Sequence, residues 1–293
     1  MKKYFSLILI LVFVLNKSFC QKNNLEAAMY NIAIGASISS IGALINKSKG
    51  EKPVPVIVKG FWQGALGGYV TFESKRIIEP AYVHDDWKLF WASRLLNAAG
   101  TSIKENAALN RDFWEQWNLH LGFLRIELHT KDQFRLRAKA LPIASFYTIL
   151  ALVQTDLELK QSLKSAHWVF SSNDPRFEAG NSIGAVFPGI MVLKEGYQSF
   201  PQLQAHEIIH LYQQNDFTIF NSYYQKPIIN LSMRNETARK LAKYIYPDLS
   251  FYVQLGIYAW ERNTSTFYYN NFLEHEAGYY SNTLINNSKV SKP

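Results

Sequence analysis

Cysteine is nearly absent from this 293-residue sequence, which contains one, Cys20. If the chain is cleaved after that residue, none remains. Disulfides, thiol catalysis and cysteine-based zinc sites are then excluded. Such a chain depends on its core, and the residues after position 20 suffice for one large domain or a domain with a small appendage. Charge is sparse as well, at 18% of residues, and the formal net charge is +8. No basic run with interleaved aromatics occurs, which argues against a nucleic-acid partner. There is no internal repeat and no low-complexity tract. Histidine is scarce at 7 residues, so a pair at a meaningful spacing stands out.

The first residues read as a targeting segment. Lys2 and Lys3 precede an apolar run from Tyr4 to Leu15, and Ser18 and Cys20 are small residues ahead of Gln21. That pattern predicts a secretory signal peptide over 1–20, and the run is short for a membrane span. Lys17-Ser18-Phe19 fits poorly before a lipid-modified Cys20, so simple cleavage and export to the cell envelope or beyond is the expectation. The 31 Lys and Arg less Lys2, Lys3 and Lys17 stand against 23 acids, which leaves +5. That mild excess is compatible with an anionic membrane nearby. Residues 21–80 form a Gly/Ala-rich apolar segment. Ala27–Ile45 and Gly60–Phe72 carry no charge, and Lys47–Pro55 is a polar connector. Small residues of this kind suit close helix packing, in a membrane or as a buried hairpin. Membrane association through this segment is therefore an expectation.

The most informative stretch is His206-Glu207-Ile208-Ile209-His210. On a helix, histidines four apart lie one above the other, where both imidazoles reach one zinc ion. Glu207 sits beside them, placed to take a proton from water. Ser199-Phe200-Pro201 predicts a helix start with Ser199 as cap, and Asn215-Asp216 a stop. The apolar flanks Leu203, Ala205, Ile208, Ile209 and Leu211 predict a buried helix, whose polar residues need partners. Gln213, seven residues after His206, returns to the same face and can support a ligand. Gly189–Leu193 reads as a short buried strand, expected to be an edge for an extended peptide.

Catalytic zinc usually takes a third protein ligand. His120, His129 and His167 lie in strand-like stretches, and His84 precedes a polar turn. The segment Phe272–Tyr279 is richer, with Glu274, His275 and Glu276 within three positions. The H-E-x-x-H motif followed by a distant glutamate resembles the glutamate-zincins, which include the thermolysin-like peptidases. The resemblance spans only the stretch from the metal helix to this segment. In that family the third ligand sits in an E-x-x-[AS]-[DN] pattern. Glu274 and Ala277 match it, Gly278 departs from it, and Glu276 is the competing carboxylate. The resemblance implies zinc on His206, His210 and Glu274, with Glu207 as general base in hydrolysis of a peptide or protein substrate. His275, Tyr279 and Tyr280 are the expected oxyanion donors. The alternative is an inactive metal-binding or structural envelope protein.

The remaining chain completes an α+β expectation, an antiparallel sheet packed beside a helical, zincin-like metal subdomain, with 81–293 as the catalytic domain. Asp86–Gln116 is helical in pattern, with Gly100-Thr101-Ser102 expected to divide it in two. Residues 118–153 read as strand, since Phe134, Leu136 and Ala138 alternate with Arg135, Arg137 and Lys139. Leu157–Phe170 is expected to add another strand, and 234–262 returns to a helical pattern broken at Pro247.

Overall fold

The computed structural model describes residues 23–175, 182–264, 269 and 271–284. The signal-peptide reading of 1–20, with Cys20, falls outside them. Helix and sheet are mixed as an α+β fold requires.

Two long helices open the described chain, α1 (Asn24–Asn46) and α2 (Pro53–Arg76). The Asn23 side chain caps α1, and Pro53 occupies the first turn of α2, where its missing N–H costs nothing. Short α3 (Ile78–Val83) leads to α4 (Trp87–Ala108), which is one continuous helix. The expected break at Gly100-Thr101-Ser102 is absent, because Gly100 serves packing. A methyl group there would meet Thr71 N at 2.7 Å. The same holds across α1 and α2, where Gly35 faces Gly64 and Gly68 backbone to backbone. A stripe of small residues lets α1, α2 and α4 lie in one tight layer. Within 23–80 the two helices pack on each other and on α4 through their small-residue faces, with the connector between them, while Val54, Val58, Phe61 and Trp62 of α2 remain exposed. Among the described residues α1 alone is long and apolar enough to cross a membrane, by length and composition. A helix like this near the N-terminus suits a targeting or anchoring segment as well as a core.

The first sheet is an antiparallel meander of β1 (Gln116–Leu121), β2 (Leu124–His129) and β3 (Arg135–Ala140). Its register sorts the residues completely. Asn118, Glu127 and Arg137 align on one face, as do His120, Arg125 and Lys139, while Trp117, Leu128 and Leu136 align on the other. That polar face is buried along β1 and β2, while Arg135 and Arg137 of β3 are exposed. Arg125 pairs with Glu105 of α4 at 2.7 Å and with Glu127 at 2.9 Å, and stacks over Tyr246 at 4.0 Å. A fully buried guanidinium is tolerable because each of its groups finds a partner.

The end of the 118–153 stretch, expected as strand, falls in helix α5 (Pro142–Gln154). The expected strand 157–170 is divided into β4 (Asp156–Leu157), α6 (Leu159–Ser165) and β5 (Trp168–Ser172). With β6 (Gly184–Phe187) and β7 (Ile190–Lys194) these build a second sheet in the order β4-β5-β7-β6, parallel between β5 and β7. Gly189–Leu193 is thus a buried strand as read, but β7 lies inside the sheet, whose edges are β4 and β6. Alternation along β5 and β7 feeds two cores. Val169, Met191 and Leu193 face α7 (Pro201–Asp216), while Phe170, Ile190 and Val192 face α5. Burying Ile208, Ile209, Leu211 and Tyr212 of α7 contributes roughly 1.5–3 kcal/mol each. This fixes the helix on the sheet and turns its other face to the site. Beyond α7 come a 3-10 turn (Phe217–Asn221), α8 (Ser222–Arg234), α9 (Glu236–Tyr244), α10 (Ser250–Thr264) and α11 (Phe272–Ser281).

Candidate metal centre

Helix α7 starts with Pro201 in its first turn, but its N-cap is Phe200 and no side chain caps it, so Ser199 has no such role. The 3.6-residue period places His206, His210 and Gln213 on one face. Helix α11 packs across that face. Its own start is well defined, since the Asn271 side chain accepts from Leu273 N and Glu274 N. Glu261 of α10 accepts from Phe272 N at 3.0 Å. Those caps set Glu274 one turn into α11, against the two histidines.

The three side chains converge. His206 Nε2 is 3.2 Å from His210 Nε2 and 3.2 Å from Glu274 Oε2, and His210 Nε2 is 3.4 Å from the same oxygen. Ligands about 2.0–2.1 Å from a tetrahedral zinc ion stand about 3.3 Å apart, so the three atoms form one triangular face of such a polyhedron. The hydrogen bonds behind the rings set their protonation. Gln213 Nε2 donates to Leu273 O and to Glu276 Oε2 at 2.9 Å, so Gln213 Oε1 must accept, and it does so from His210 Nδ1 at 2.8 Å. Ser281 Oγ donates to Ala277 O at 2.7 Å and faces His206 Nδ1 at 3.4 Å. Both Nδ1 atoms then carry hydrogen, and both Nε2 lone pairs point at a carboxylate. Three electron pairs in that arrangement repel unless a cation or a proton lies among them. The buried group can hold a metal ion.

The alternative to a metal is a proton, and the charges show where it would sit. Burial opposes a charge on His210, but the Glu274 carboxylate outweighs it and raises His210 to about 9. Burial acts to raise Glu274, but the charge of His210 and hydrogen bonds from both histidines hold it well below the usual carboxylate range. Glu207 is shifted upward, chiefly by burial. Its carboxylate lies against Gly184 of the edge strand β6. A Cβ there would meet Glu207 Oε1 at 2.5 Å, so a larger residue would push the carboxylate aside. Among the described residues Glu207 has no hydrogen-bond partner, which leaves its oxygens available for water.

Glu276 is not part of the metal group. It lies on the far side of α11, where its Oε1 accepts from Lys75 at 2.8 Å. Lys75 also binds Asp216 at 2.6 Å and Asn31 at 3.1 Å, and Asp216 binds Lys104 at 2.6 Å. The chain Lys75–Glu276–Gln213–His210 therefore links the helical layer to a candidate ligand. Gly278, where the family pattern has an acid, is packed against Leu284 and Tyr269. Ser281 and Gln213 provide the ring contacts instead.

Among the described residues none of the three expected oxyanion donors hydrogen-bonds a member of the group. Tyr279 donates to Asn24 at 2.8 Å, and His275 Nδ1 and Tyr280 Oη are buried without a partner. Tyr258 of α10 feels the centre's charge: burial first and the Glu274 carboxylate second shift its hydroxyl upward. Sequence reading missed it because seventeen tyrosines offer no contrast and α10 has no motif. Compared with known proteins, the chain matches no family model, no curated protein and no solved structure.

Proposed function

We propose that the protein is an exported zinc-dependent metallopeptidase of the glutamate-zincin type, with His206, His210 and Glu274 as ligands. The observation that carries this reading is the convergence of two imidazole Nε2 lone pairs and one carboxylate at tetrahedral spacing, with Glu207 one residue from the first ligand. Two nitrogens and one oxygen make a donor set suited to zinc, and three protein ligands leave a place open. Zinc, when bound, supplies Lewis acidity that polarises a carbonyl and makes water acidic.

The residues do the rest. Glu207 accepts the proton of the attacking water. Burial raises its basicity, so it holds that proton more firmly than an exposed carboxylate and can pass it to the leaving amine. Tyr258 can donate from its hydroxyl to the oxygen on which charge develops. Gln213 and Ser281 hold the two rings so that their Nε2 atoms face the centre. The edge strand β6 next to Glu207 offers backbone groups to an extended peptide.

The test is zinc content of the purified protein beside Glu274→Ala, with turnover on a mixed peptide pool. One zinc per chain, weakened in the variant, together with metal-dependent cleavage, supports the reading. Failure to take up zinc after reconstitution overturns it. Zinc without any cleavage favours the metal-holding envelope protein.

A further inference from the structure

A second cluster of buried polar groups lies beside α7, on a different face of that helix from His206 and His210. Helical spacing brings Arg94, Ala98 and Thr101 of α4 to one face, and Ala98 ends at its methyl group between two longer side chains. With His120 at the end of β1 and Tyr212 of α7 they line a cavity of about 60 Å³, room for a few water molecules or one small ion. Arg94 is 7% exposed and Thr101 5%, so both belong to the interior.

Arg94 stands apart from the other buried cations. Among the described residues Arg125 has Glu105 and Glu127, and Lys75 and Lys104 share Asp216, but Arg94 makes no ion pair. Its guanidinium donates to two backbone carbonyls, Ala166 O and His120 O, and its Nε is buried without a partner. Burial lowers it to about 10, so it stays charged at neutral pH. Carbonyls do not cancel a charge, and a buried cation without a counter-ion is strongly disfavoured. Two more donors line the same space. Thr101 Oγ1 is buried without a partner. His120 Nε2 lies 2.9 Å from Arg125 Nη1, which can only donate, so the ring hydrogen is on Nδ1. The acceptor before Nδ1 is Asp248 Oδ2 at 3.8 Å, beyond hydrogen-bond reach. His167, also on the wall, donates from Nδ1 to Ser165 O at 2.8 Å, and burial with the charge of Arg94 keeps it neutral.

We propose that this cavity binds one small monovalent anion, chloride or a short carboxylate such as acetate, through Arg94, Thr101 and His120. Water satisfies the donors but does not cancel the charge of Arg94. The carboxylate of Asp248, whose Oδ1 is already engaged by Asn221 Nδ2 and Ser250 N, stands on the same wall and disfavours a second negative charge. The anion ties α4 and the end of β1 to α7 from a face the metal group does not use, so the site is independent of the metal.

The test is thermal unfolding of the purified protein at fixed ionic strength, with sodium chloride or sodium acetate replacing sodium gluconate, whose anion is too large for the cavity. Tm should rise with the logarithm of the small-anion concentration, with the slope of one bound ion. Thr101→Val keeps the shape and removes one donor, so a given rise should need on the order of tenfold more anion. Arg94→Gln should abolish the response. The Thr101 hydroxyl has no protein partner, so Thr101→Val should fold as the wild type does, and it decides the matter if Arg94→Gln does not fold. A wild-type Tm that is the same in all three salts overturns the proposal, as does an equal response in Thr101→Val. An unchanged response in folded Arg94→Gln also overturns it, by placing the anion elsewhere.

Discussion

The Nζ of Lys75 lies 2.8 Å from Oε1 of Glu276, and neither side chain exceeds 1% exposure. This ion pair joins α2 to α11 across 201 residues of sequence. Its other neighbours, Asp216 and Lys104, make it a four-membered buried network. Burial would strip an isolated ammonium of its charge, yet Asp216 and Glu276 outweigh that and raise Lys75. Lys75→Met takes the ammonium away from the buried Glu276 carboxylate and leaves Asp216 with Lys104 alone. Stability should fall by about 3–5 kcal/mol, read from urea unfolding. A loss within 1 kcal/mol would mean that water reaches the network.

The same network has an acid limit. Burial opposes charge on Asp216, but Lys104 and Lys75 outweigh it and hold its carboxyl below the usual range. A depressed folded value means that the unfolded chain takes up the proton first as pH falls. The contribution is whole above the ordinary carboxylate range, about pH 4, and is lost as pH drops through the folded value. Asp216→Asn should be less stable at neutral pH and show a shallower acid slope. Parallel slopes for the two proteins below pH 4 would assign the acid sensitivity to other groups.

Gln213 connects the network to the candidate ligand His210 through bonds of 2.9 and 2.8 Å. Gln213→Leu removes the acceptor that orients the ring. Metal affinity should drop roughly 10–100-fold, measured by competition with a chromophoric chelator. An unchanged affinity would show that the ring is held by packing alone.

Glu207→Gln keeps the shape of the side chain and removes its basicity. Zinc content should be unchanged while turnover falls on the order of 10²–10⁴-fold. Equal turnover in wild type and variant would take Glu207 out of the mechanism.

Gly64 offers a test in which propensity and packing disagree in sign. Alanine favours a helix interior by about 1 kcal/mol over glycine. A methyl group here, however, would meet Ser39 Cβ at 2.7 Å and run into the carbonyl of Gly35. Gly64→Ala should therefore destabilise, by roughly 1–3 kcal/mol in thermal or urea unfolding. A stabilised variant would show that α1 and α2 can move apart.

What the sequence made legible was local. The two histidines are four apart, so helix geometry alone brings them together, and Gln213 follows from the same period. Glu274 was readable through its pattern with Ala277. The role of Glu276 was not, because its partner Lys75 lies in another part of the chain. The strand reading of 118–153 rested on the alternation from Phe134 to Lys139, which does not extend into Pro142–Gln154, and there no polar face marks a helical period. Gly100 read as a break because its packing partner Thr71 is invisible to local pattern. Likewise β7 could not be told from an edge, since strand order is a property of the whole sheet.

Seen as formal charge, two islands of the interior meet at Gln213. Lys75 and Lys104 balance Asp216 and Glu276. A divalent ion would balance Glu274 and Glu207, with two neutral imidazoles. The link between the islands, Gln213, is an amide and carries no charge. Exchange of the ion against protons at His210 and Glu207 therefore leaves the first island neutral throughout. The centre can load and unload while the electrical balance that fastens α2 to α7 and α11 stays the same.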